Sequence, residues 1–97
     1  MVPTRKIIDV QFFMTDHGRI PVKEWLKELT PADRKTISDD MRTVELGWPI
    51  GMPIVRKIDT GLWEVRSDLS NSRISRVLFT VSGQMMILLH RFHQKEP

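Results

Sequence analysis

Cysteine is absent from the 97 residues, which excludes disulfide frameworks, thiolate metal sites and cysteine nucleophiles. No apolar run approaches the roughly 18 residues of a membrane-spanning helix. The N-terminal MVPTRKIIDV lacks the apolar core and small-residue cleavage site of a secretory signal, so the cytoplasm is the expected compartment. HExxH, a P-loop and GxGxxG are all missing, and no spacing builds a serine–histidine–acid triad. There is no internal repeat and no low-complexity tract. What remains is one domain, residues 1–97, with a 40% hydrophobic share that suits an ordinary globule with a thin core.

Net charge is +3 and unevenly spread. Residues 1–55 hold eight Lys/Arg against eight Asp/Glu, whereas residues 56–97 hold seven against four. The C-terminal half is therefore the half suited to an anionic partner.

KIIDVQFFM, Lys6–Met14, is rich in β-branched and aromatic residues and predicts a first strand. TDHGRIP is turn chemistry, with His17 on the surface, and Pro21 opens a helix whose Val22, Trp25, Leu26 and Leu29 form one apolar stripe. A second helix starts with Thr30 as N-cap, Pro31 at N1 and Asp33 at N3; it buries Ile37, Met41 and Val44 and stops at Gly47. So short a link predicts an antiparallel helical hairpin. After the loop WPIGMP come the strand GLWEVR, the loop SDLSNS, the strand RISRVLFTV, the turn SGQ and the strand MMILLHRFH. The expected fold class is α+β: an N-terminal strand, the helical hairpin, then a three-stranded antiparallel meander that the first strand joins.

Alternation assigns faces. Ile74, Arg76, Leu78 and Thr80 share one side of their strand, Leu62, Glu64 and Arg66 one side of theirs, and Met86, Leu88, His90 and Phe92 one side of theirs. The helices cover only one sheet face, so Arg66, Arg76 and His90 are expected close together at open strand ends; alternation leaves open whether all three share one side. Such a trio suits a phosphodiester. Guanidinium groups stay charged and donate paired hydrogen bonds to phosphate, and a histidine exchanges a proton at neutral pH. Together they can stabilise the charge that develops as a ribose 2′-hydroxyl attacks phosphorus. The plainer alternative is salt-bridged surface arginines and a half-buried histidine. HRFH does not make a metal pair, because positions i and i+3 of a strand face opposite ways, and neither metal nor cofactor is expected. Met85 and Met86 read as core fillers.

Leu62–Lys95, with its Leu-Trp-Glu-Val-Arg strand, Arg-Val-Leu-Phe strand and Leu-Leu-His-Arg-Phe ending, resembles HigB-like toxins of the RelE/ParE superfamily, of the phage-derived HigB type. That resemblance implies a RelE-like sheet and a type II toxin–antitoxin system. The activity it implies is metal-independent cleavage of messenger RNA on the ribosome, which inhibits translation. The implied partners are a HigA-like antitoxin with a helix-turn-helix, the ribosome and its messenger, and operator DNA only through the antitoxin; no membrane is involved. By position, Arg66 and Arg76 would hold the scissile phosphate, and His90 and Lys95 would move protons or stabilise charge. Lys57, Arg73, Arg91 and His93 would be further RNA or ribosome contacts. The chain departs from the pattern at Arg91, where relatives commonly have Gly, and at Gln94-Lys95, where they have two lysines. Relatives also run on past Pro97 into a last helix, so the resemblance implies that some sheet surface is uncovered here. The alternatives are a catalytically impaired toxin fold that binds its antitoxin, or a ParE-like binder of gyrase.

Overall fold

The computed structural model describes residues 5–95, with side chains described as far as Phe92. Its elements run β1 (Asp9–Phe12), α1 (Pro21–Glu28), α2 (Pro31–Gly47), β2 (Val55–Asp59), β3 (Leu62–Leu69), β4 (Arg73–Ser82) and β5 (Met85–Lys95). They form one five-stranded sheet in the order β1-β5-β4-β3-β2, antiparallel except for the parallel β1–β5 pair. This is the expected α+β class, with one strand more. VRKID forms β2 on the outer edge, where four of its five residues are exposed and no apolar alternation is required. β3 also runs on to Leu69, through the serine and aspartate of the expected loop.

The helix boundaries follow their local chemistry. Pro21 opens α1 and Pro31 opens α2. Thr30 accepts the Asp33 backbone N–H at 3.2 Å, which satisfies one of the donors a helix start leaves unpaired. Arg34 donates to the carbonyls of Leu26, Lys27 and Leu29 at 3.0, 3.2 and 3.0 Å, closing the end of α1 with a side chain of α2. The link between the helices is as short as expected, yet each packs on its own part of the sheet, α1 against β5 and α2 against β3.

Both helices cover the same sheet face. Val22 and Trp25 of α1 and Ile37, Met41 and Val44 of α2 pack on Val55, Val65, Val77, Phe79, Met86 and Leu88. Phe79 is the fully buried centre, stacked on Trp63 at 5.9 Å and meeting the edge of Trp48 at 5.6 Å. Glu45 ties the N-terminal strand to the end of α2, its carboxylate accepting the Val10 N–H at 2.9 Å and its backbone carbonyl the Ile7 N–H at 2.7 Å. Among the described residues no helix is long and apolar enough to cross a membrane.

Candidate functional site: the uncovered sheet face

The strand register settles which side chains share the face away from the helices. Arg66 on β3 lies directly opposite Arg76 on β4, and Arg76 lies opposite Phe92 on β5. The next row is Arg56, Glu64, Leu78 and His90. Directly paired residues project to one side of a sheet. Arg66, Arg76 and His90 are therefore on one face.

One expected face assignment is corrected. Strict alternation puts Met86, Leu88, His90 and Phe92 on the same side of β5. Met86 and Leu88 instead pair with Val81 and Phe79 in the core, and His90 and Phe92 pair with Leu78 and Arg76 outside it. The register shifts between Leu78 and Phe79, so Leu89 is an extra residue in β5. A bulge of this kind breaks the two-residue period and re-aims the side chains beyond it. A single strand thus supplies core in its first half and reactive groups in its second. Met86 is fully buried as expected, but Met85 is 44% exposed at the strand's start.

Arg66 and Arg76 place two positive charges directly across from each other, with Cβ atoms about 5 Å apart, an arrangement that destabilises a sheet. Neither forms an ion pair among the described residues, and the Nε of each is buried without a hydrogen-bond partner. Glu64 on the same face is 3% exposed, and its Oε1 has no partner either. Among the described residues, the salt-bridged alternative for these arginines therefore does not hold. Next to them, the ring of His90 meets the edge of Phe92 at 5.4 Å, and Phe92 is 51% exposed. Two unclaimed guanidinium groups, an imidazole and an open aromatic ring can hold an anion, move a proton and stack a planar group.

The remaining predicted residues go elsewhere. Arg73 grips Asp33 near the start of α2, Nη1 at 2.8 Å and Nη2 at 3.1 Å, and donates to Ser70 as well. That joins the start of β4 to α2, a structural task. Lys57 is exposed on β2, in register with Trp63 and thus on the helix side. Arg91 pairs with Val77, also on the helix side, and lines a cavity against α1. His93 and Lys95 take register positions opposite Ser75 and Arg73, and their side chains lie outside the described residues.

Reasoning from sequence passed over Glu64, whose burial shows only when the sheet is assembled. It also passed over the Arg19–Glu24 pair beside the cavity. Glu24 accepts three bonds from Arg19 and the Ile20 N–H at 2.8 Å, and the Arg19 hydrogen bond is the main cause of a carboxyl pKa lowered to about 2. A carboxyl whose pKa falls on folding adds stability above its unfolded value, and that stability disappears as acid protonates it. Lowering the pH from about 4.5 to about 2 should therefore lower the melting temperature, and Glu24→Gln should flatten that part of the profile. A wild-type acid profile in the Glu24→Gln variant would contradict the pairing.

The fold and this face define an α+β protein with an arginine-lined, uncovered sheet. The chain belongs to the phage-derived protein Gp49-like family (DUF891), whose sequence pattern matches residues 24–96, from within α1 to beyond the end of β5. No curated protein and no solved structure matches it.

Proposed function

We propose that this chain is the toxin of a type II toxin–antitoxin pair, a HigB-like, RelE-type endoribonuclease that cleaves messenger RNA on the ribosome. The observation that carries this reading is the Arg66–Arg76 pair in direct register, without an ion pair among the described residues, on the face that the helices do not cover. A sequence keeps such a repulsion where a ligand relieves it, and the ligand that relieves two guanidinium groups is a phosphate. Membership of the phage-derived Gp49-like family and the HigB-like pattern over Leu62–Lys95 support the same reading.

In this reading Arg66 and Arg76 hold the scissile phosphate and stabilise the charge that grows on its oxygens as the 2′-hydroxyl attacks. His90, on the same face, exchanges a proton with the attacking or leaving oxygen. Phe92 offers its exposed ring to a base beside the phosphate. An antitoxin would silence the protein by covering this face with an acidic or amphipathic segment.

The test is induction of the chain in a bacterium without its antitoxin, with growth followed and new 5′ ends mapped on cellular messages. Growth arrest with cuts inside translated frames is expected. Arrest without cuts would overturn the nuclease reading in favour of gyrase binding. Normal growth with soluble, folded protein would leave only an antitoxin-binding role.

A further inference from the structure

β1 ends at Phe12, in register with Leu88, whereas β5 continues to Lys95. Beyond Leu88, among the described residues, no strand pairs with the β1 side of β5, and α1 packs against β5. Between them lies a cavity of about 240 Å³, lined by Arg19, Glu24, Trp25, Glu28, His90 and Arg91 together with Pro21. That is below the ~300–1,000 Å³ of pockets for drug-sized ligands and suits one planar ring system.

The charged groups of the cavity are not used up on one another. Glu24 is held by Arg19 and the Ile20 N–H. Glu28 is exposed and its charge reaches Arg19, but it makes no hydrogen bond or ion pair among the described residues, and Arg91 Nε is buried without a partner. An unclaimed carboxylate and an unclaimed guanidinium therefore line one small cavity without pairing. A ligand that satisfies both carries adjacent donors on one edge and adjacent acceptors on another. Among nucleobases guanine has that pattern, with N1–H and the 2-amino group for a carboxylate and O6 and N7 for a guanidinium. Adenine offers no pair of adjacent donors.

His90 lines this cavity and also stands on the face of Arg66 and Arg76. A nucleotide can thus keep its phosphate on the arginines and its base in the cavity. We infer that the cavity between α1 and β5 is a guanine-binding subsite, with Glu28 accepting from N1–H and the 2-amino group and Arg91 donating to O6 and N7. The position of that base within an RNA rests on the proposed nuclease reading; the recognition itself does not.

The experiment titrates the purified chain with GMP, IMP and AMP and follows the three tryptophan indole N–H signals by NMR. Trp25 lines the cavity, whereas Trp48 and Trp63 belong to the aromatic cluster around Phe79 and serve as controls. GMP should move the Trp25 signal and bind about tenfold tighter than IMP, which lacks the 2-amino group, because a hydrogen bond to a carboxylate is lost. Glu28→Ala should erase the GMP/IMP difference. Arg76→Ala should weaken both nucleotides alike and leave their ratio unchanged. Equal affinity for GMP and IMP in the wild type, or a Trp25 signal unmoved by any nucleotide, overturns the subsite. Guanine discrimination in a protein that cuts no RNA would sustain the subsite and defeat the nuclease reading. Cleavage without that discrimination would do the reverse.

Discussion

Arg76→Ala should abolish toxicity in the antitoxin-free bacterium while the purified variant unfolds at or slightly above the wild-type temperature. The two halves of this result have one origin. Arg76 makes no ion pair among the described residues and sits directly opposite Arg66, so its removal breaks no partnership and relieves a repulsion. A directly opposed like-charge pair costs up to about 1 kcal/mol, which limits the gain. On the reaction side, a preorganised donor aimed at charge that develops in the transition state contributes about 10²–10³ in rate. Arg76→Lys should fall between, since an ammonium keeps the charge but loses the paired hydrogen bonds of a guanidinium. Cleaved messages counted at new 5′ ends, alongside a thermal melt, check both halves. Full toxicity from a folded Arg76→Ala variant would end the assignment of this face, and a large loss of stability would show that Arg76 has a structural partner.

The sequence was most informative where a side-chain period meets a buried face. The caps at Pro21, Thr30 and Pro31, the stripe through Val22 and Trp25, and the strands from Leu62 onward all follow from local chemistry, and the structure has them. It was least informative where a segment meets solvent or where distant segments meet. β2 lies on an edge with four exposed residues, so nothing in VRKID alternates. Ser67 and Asp68 have loop composition, yet Ser67 is 1% exposed inside β3, opposite the equally buried Ser75. Loop composition reflects preference for water, and a strand that covers such a residue overrides it.

The same limit applies to the site. Arg66, Arg76 and His90 were legible as a group from their chemistry, whereas alternation left their shared side open and tied His90 to the core-facing Met86 and Leu88. The bulge was not, because Leu88 and Leu89 are equally apolar and either can be the extra residue. Nor was the hold of Asp33, forty positions earlier, on Arg73, which ties β4 to α2. Glu28 and Arg91 line one cavity because α1 packs against β5, two segments far apart in sequence. None of these three follows from spacing, since each depends on how distant segments meet.

Phe79→Ala supplies the opposite result to Arg76→Ala, and the pair separates loss of chemistry from loss of fold. Phe79 is 0% exposed, packed between Trp63 and Trp48, and in register with Leu88 just before the bulge. Truncating a buried phenylalanine costs about 3–5 kcal/mol, from lost transfer energy and the cavity that remains. A domain of this size has only about 5–15 kcal/mol in total. At roughly 4–8 °C per kcal/mol, the melting temperature should fall by about 12 °C or more. Toxicity should fall with it, because the strand that carries His90 is anchored through Leu88 on this ring. Phe79→Leu refills most of the volume and should recover most of both. If Phe79→Ala instead melts within about 1 kcal/mol of the wild type, the aromatic cluster is not what fastens the bulged strand to the helices. The aim of His90 would then have to come from α1 and the cavity residues alone.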